Sequence, residues 1–87
     1  MYLHLGKSTV VRHEDIIGIF DLDNSSQSHL TREYLTRAEK ARQVMSVSDE
    51  LPKSFVITDD GQQRVYLSQL GSATLLKRSE GFFIEER

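Results

Sequence analysis

Apolar and polar positions alternate from the first residues of the chain. Tyr2-Leu3-His4-Leu5 places Tyr2 and His4 on one face of an extended segment and Leu3 and Leu5 on the other. Gly6-Lys7-Ser8 reads as a turn, and Thr9-Val10-Val11 begins a second extended segment. His13-Glu14-Asp15 breaks the apolar run. Ile16-Ile17-Gly18-Ile19-Phe20 resumes it, with β-branched and aromatic residues that favour a strand. Residues 21–27 (DLDNSSQ) are turn chemistry, because Asx and Ser side chains compete with the backbone for hydrogen bonds.

A helical period follows. Leu30, Tyr34, Ala38, Ala41 and Met45 recur at steps of three and four and predict a helix over about 29–44, capped by Ser28. Glu33 precedes Arg37 by one helical turn, the favourable order for an ion pair. Residues 46–52 read as a loop closed by Pro52. Residues 53–68 carry the clearest pattern of all: KSFVIT and RVYLS flank the glycine-containing turn DDGQQ, a β-hairpin. Ser68 or Ser72 is placed to cap a short second helix through Leu75, Leu76 and Lys77. Gly81 is expected to stop that helix, and Phe82-Phe83-Ile84 forms a last apolar segment. The expectation is a small α+β single domain over residues 1–87, with an antiparallel sheet, one long helix and one short C-terminal helix.

Composition narrows the function. A chain of 87 residues fits one domain with a modest core, and small domains of this kind commonly need support from disulfides, a metal or self-association. There is no cysteine, which excludes disulfides and thiolate zinc sites and leaves self-association. The start of the chain lacks a basic region followed by a long apolar stretch, and no apolar run approaches the roughly 20 residues of a membrane span. A soluble cytoplasmic protein is expected, with no membrane partner. The formal net charge of −2 gives no global attraction to nucleic acid, so DNA binding would require local clustering of cations.

The acidic stretch RHEDIIGIFDLD is the strongest hint of chemistry. A hard cation would recruit His13, Glu14, Asp15, Asp21 and Asp23. But the two acidic groups stand at opposite ends of IIGIF, roughly 17 Å apart at about 3.3 Å per strand residue. One ion cannot be held by both, and solvated turn carboxylates are the expectation. His4, His13 and His29 come with many serines but with no nucleophile elbow. The scattered glycines make neither a phosphate loop nor a dinucleotide fingerprint. The chain does not read as an enzyme, and no cofactor, metal or small-molecule substrate is implied.

The basic residues remain. Lys77 and Arg78 fall in the expected last turn of the second helix, where cations complement the helix dipole or could meet phosphate. On the first helix Arg32, Arg37, Lys40 and Arg42 alternate with Glu33 and Glu39 and read as a solvated face. Arg12, Lys53 and Arg64 sit at turns or strand ends, from which they could project toward a partner. The strand surface exceeds what the two helices readily cover, so an open sheet edge would invite another copy of the chain.

The segments MYLHLGKSTVV, EDIIGIFDLD, PKSFVIT and VYLSQLGSATLLKR occur in an order and spacing that resemble the RemA/RemB family of small bacterial extracellular-matrix regulators. Residues 24–51 match only in character. The resemblance implies a fold similar to the LytTR type of DNA-binding module. It also implies a closed ring of protomers, DNA following the basic outside of that ring, and control of biofilm matrix genes. A ring would leave no strand edge free and would repeat a weak basic patch around its circumference. The departure is local. Where RemA-type proteins carry arginines, before the second apolar strand and just before the hairpin, this chain has Asp15, Glu50 and Leu51. The DNA-contacting arginines therefore do not carry over. The candidate nucleic-acid-binding residues become Arg12, Lys53, Arg64, Lys77 and Arg78. The alternative is an adaptor that works through protein contacts with weak or no DNA binding.

Overall fold

The computed structural model describes residues 1–22 and 29–84, with 80–84 described by backbone alone. Strands β1 (Tyr2–Gly6) and β2 (Thr9–Arg12) form an antiparallel hairpin, followed by a single 3₁₀ turn at His13–Asp15. Then come β3 (Ile16–Asp21), helix α1 (His29–Lys40), β4 (Val44–Ser46), β5 (Ser54–Asp59), β6 (Gln63–Ser68) and helix α2 (Ser72–Ile84). The second sheet has four strands in the order β3-β5-β6-β4. Its pairings are antiparallel except for β4 with β6, which is parallel.

Register divides the core in two. Because side chains alternate across a strand, Val56 of β5 shares one face with its partners Ile19 and Tyr66. Val56 packs there with Leu3, Leu5, Val11, Val47 and Leu75, so the β1–β2 hairpin and α2 cover this side. Phe55 and Ile57 turn to the opposite face with Leu67 and Val65, under α1. Ala38, Tyr34 and Leu35 supply the helix side of that second core. Tyr34 Oη also donates to Gln63 Oε1 at 3.0 Å, which ties α1 to the start of β6. Partial burial pushes the pKa of that hydroxyl up.

Two buried hydroxyls join the layers. Ser54 and Ser68 are cross-strand partners with no exposed surface. Ser68 Oγ donates to the Leu5 carbonyl and accepts from Leu70 N, while Ser54 Oγ donates to the Leu70 carbonyl at 2.7 Å. The Ser68 cap expected for the second helix is therefore replaced by a bond between sheets. Ser72 does not cap either: it is the first residue of α2, and its hydroxyl donates to Asp21 Oδ2 at 3.3 Å. Gly71 supplies the carbonyl that receives Leu75 N.

Both helices differ from expectation at their C-terminal ends. α1 stops at Lys40 rather than near 44 because Arg42 takes a left-handed conformation with φ 60°. Arg42 N bonds to the Glu39 carbonyl and Gln43 N to the Ala38 carbonyl, a Schellman closure built without glycine. The freed residues form β4, which the sequence reading had assigned partly to helix and partly to loop. The apolar stripe shifts accordingly: Leu30, Ala41 and Met45 are exposed, and Leu35 joins Tyr34 and Ala38 on the packed face. α2 runs through Gly81 to Ile84, so it has 13 residues against 12 in α1. There is no division into a long and a short helix, and no separate apolar segment at 82–84. Of the loop expected at 21–27, Asp21 ends β3, while residues 23–28, including the Ser28 cap, lie outside the described residues.

β3 and β4 are the outer strands of the four-stranded sheet. A bulge in β3 between Ile16 and Gly18 leaves Ile17 as the extra residue, and it is exposed. Phe20 stacks on Phe55 with ring centroids 5.0 Å apart and lies over Gly18, where a Cβ would come within 2.6 Å of the ring. Glycine at this strand position lets the aromatic ring cover the backbone.

Candidate nucleic-acid interface

The sequence-derived cations fall into separate places. Arg12 ends β2 and Arg64 lies in β6 beside the β5–β6 turn, and both line one small cleft with Tyr2, Asp15, Asp60 and Tyr66. Both already have an aspartate partner, while Arg12 stays exposed. The 3₁₀ turn brings Asp15 back over Arg12, whose Nε and Nη2 donate to its two carboxylate oxygens at 2.8 and 2.9 Å. Glu14 adds a weaker contact at 3.9 Å. This hydrogen bond and charge push the Arg12 pKa further up. Arg64 Nη1 lies 3.1 Å from Asp60 Oδ2, and its bond, with the Gln62 N–H, holds the Asp60 carboxyl below the usual aspartate range. The turn itself needs Gly61, with φ 106°, and an Asx bond from Gly61 N to Asp59.

In the acidic stretch Glu14 is exposed, as a turn carboxylate should be, and Asp23 lies outside the described residues. Asp15 is not a solvated turn carboxylate, since its side chain is only 15% exposed and carries the Arg12 fork. Asp21 closes β3 and receives the Ser72 hydroxyl. His13 Nε2 is hydrogen-bonded to Ser79 Oγ at 2.8 Å, which fastens the 3₁₀ turn to α2. Among the described residues no group of three or more His, Asp or Glu side chains is arranged to hold a metal ion.

Lys77 and Arg78 are exposed, but the length of α2 puts them in mid-helix, so the helix-dipole role expected for them does not arise. Arg78 Nη1 approaches the His4 carbonyl at 3.4 Å and lines a shallow groove with Tyr2, Leu3 and His4. Lys53 is exposed just before β5, where its backbone bonds to Ser68 and Leu22. That is the end of the hairpin opposite Asp60 and Arg64. Arg12, Arg64 and Arg78 thus line clefts that share Tyr2, and Lys53 lies apart at the other end of the hairpin.

A second set converges on α1. Arg32, Arg37 and Lys40 of α1, with His29, Glu33 and Thr36, line the outer side of the helix. The sequence alone reads these cations, with Arg42, as an ordinary solvated face interleaved with Glu33 and Glu39. Their helical angles were the available signal, because at 3.6 residues per turn positions 32, 36, 37 and 40 fall within an arc of about 140°. Glu33 does not pair forward to Arg37 as expected; it sits 3.2 Å from His29 Nε2. At the positions matching RemA arginines, Glu50 N is bound to Ser48 Oγ and Leu51 is 85% exposed beside Asp49 and Pro52. No helix among the described residues is long and apolar enough to cross a membrane.

Comparison with known proteins agrees with the resemblance seen in the segments. Residues 2–78 match the protein family described as RemA-like, extracellular matrix regulatory protein A-like. The chain is 42% identical over 83 residues to extracellular matrix regulatory protein B of Bacillus subtilis (strain 168). That alignment covers 95% of this chain and 95% of that protein.

Proposed function

The chain belongs to the RemA-like family of extracellular matrix regulatory proteins, and from that membership we propose that it is a ring-forming, DNA-binding regulator of matrix genes. Its role is regulatory rather than enzymatic, as the names of the family and of the relative indicate. The match over residues 2–78 carries the reading, because it spans both sheets and about half of α2 rather than one short motif. The protein acts in the cytoplasm, with DNA and further copies of itself as partners and with no cofactor.

Two features support assembly. The outer strands β3 and β4 lie on opposite sides of the sheet, and each carries exposed apolar side chains, Ile17 and Phe20 on one and Met45 on the other. Edges of this kind favour pairing with another chain, and a head-to-tail contact that closes leaves none of them free. Repetition around a ring multiplies a modest cationic surface, as a protomer with net charge −2 requires. The adaptor reading, in which the protein acts through protein contacts and grips DNA weakly or not at all, draws support from Asp15 and Asp60, which already occupy Arg12 and Arg64.

The deciding experiment is native mass by light scattering, with and without a DNA duplex, at low and moderate salt. The expected result is a multiple of the 10.0 kDa protomer whose mass rises with DNA, and rises less as salt increases. A multimer indifferent to DNA would replace this reading with the adaptor. A monomer would defeat both.

A further inference from the structure

α1 has two chemically distinct sides. Tyr34, Leu35 and Ala38 face the sheet, and the other side carries Arg32, Arg37 and Lys40 against one carboxylate, Glu33. That carboxylate is engaged by His29. Among the described residues, no salt bridge reaches Arg32, Arg37 or Lys40. All three are exposed. Glu39 is turned to the flank, beside Leu35, Val44 and Pro52. The cations at the hairpin end present the opposite case, since each already carries its own aspartate fork.

Length and shape fit a polyanionic strand. From His29 to Lys40 the face runs about 16 Å at 1.5 Å per residue. A DNA strand presents a phosphate every ~3.4 Å along the axis while winding round it, so a face of this length meets more than one phosphate of a strand. Among the described residues, the groove is lined by one helix alone. Exposed guanidinium and ammonium groups on such a surface contact phosphate without reading bases.

We propose that the outer face of α1 is the phosphate-contacting surface of this protein and holds the backbone of a DNA duplex through Arg32, Arg37 and Lys40. The assignment rests on the DNA-binding reading above and moves the contact away from Arg12 and Arg64. Among the described lining residues, Glu33 is the one that opposes it. The acidic loop at Asp49 and Glu50 of a second copy is the competing occupant of a basic face, and the test separates the two.

The full chain is titrated against a labelled duplex of mixed sequence, from about 50 to about 200 mM salt, beside three variants. These are Arg32→Gln/Arg37→Gln/Lys40→Gln, Arg12→Gln/Arg64→Gln, and Glu33→Gln. Glutamine is a good helix former, so exposed substitutions on α1 preserve the helix. Three neutralised phosphates correspond to a salt slope of about −2.7 per contacting protomer, or an affinity loss of about 40-fold across that salt range. The triple variant is expected to lose this component and to bind weakly at low salt. Arg12→Gln/Arg64→Gln keeps the full slope, and Glu33→Gln binds a few-fold tighter at unchanged native mass. A triple variant that binds like the parent, while the parent binds with a steep slope, overturns the α1 assignment and leaves DNA binding standing. A parent that ignores the duplex at the lowest salt defeats both. A triple variant that drops to protomer mass as it loses DNA reassigns the face to contact between copies, and a Glu33→Gln protein no tighter than the parent also counts against the proposal.

Discussion

Arg42 occupies a conformation that usually belongs to glycine. With φ 60° it closes the Schellman turn of α1 at the energetic disadvantage of a Cβ in the left-handed region. Arg42→Gly is expected to stabilise the protein by on the order of 1 kcal/mol, raising the thermal midpoint by about 4–8 °C. Thermal unfolding followed by circular dichroism reads this directly, and an unchanged midpoint would mean that the arginine side chain compensates. Asp60 offers a second residue-level prediction. Its carboxyl is held below the ordinary aspartate value by Arg64, so the pair stabilises the fold above the unfolded-state value. That contribution is lost only as pH falls through the lower folded value. Arg64→Gln should therefore move the Asp60 titration upward, as read by carboxyl carbon NMR. An unmoved titration would assign the depression to the Gln62 N–H instead. Such pairings were hard to see in the sequence. Arg12 looked free because its bond to Asp15 exists only once His13–Asp15 folds as a 3₁₀ turn, and nothing in three polar residues announces that turn.

At the scale of elements, period-two patterns were legible and chain stops were not. The alternation of Tyr2, Leu3, His4 and Leu5, the β-branched run of β3 and the β5–β6 hairpin around Gly61 all appear where their side chains place them. β4 was missed because three residues, Val44–Ser46, have no period of their own and become a strand only by pairing in parallel with β6. Gly81 misled for the converse reason. Glycine weakens a helix interior by about 1 kcal/mol but ends it only where the chain turns left-handed, and α2 continues through it. The common side of the α1 cations was legible from helical angles alone, but the interleaved Glu33 and Glu39 masked it. Between the layers, the Ser68 hydroxyl bonds directly from β6 to β1. Ser68→Ala removes the donor to the buried Leu5 carbonyl and should destabilise the protein by about 1–3 kcal/mol. Urea unfolding measures it, and a loss well below this range would show that water or another donor reaches the carbonyl.

For the whole molecule, the sheet presents two dissimilar edges, a bulged antiparallel β3 and a short parallel β4. In the proposed ring these dissimilar edges would join head to tail, so blocking one would stop growth at both. Ile17→Lys, at an exposed position, should leave the fold intact and reduce the native mass toward the 10.0 kDa protomer. A multimer that survives this change assembles through some other surface. The covering of the sheet by parts distant in sequence also sets a timetable. Leu3 and Leu5 are buried beside Leu75, the Leu5 carbonyl waits for Ser68, and His13 waits for Ser79. On the ribosome the first hairpin thus emerges with its apolar face bare. At about 5–20 residues per second, the 70 residues separating Leu5 from Leu75 take roughly 4–14 s to arrive. Through that interval the hairpin is a sticky fragment awaiting its lid, and the nascent chain is most exposed to chaperones and to misassembly with its neighbours on the same message.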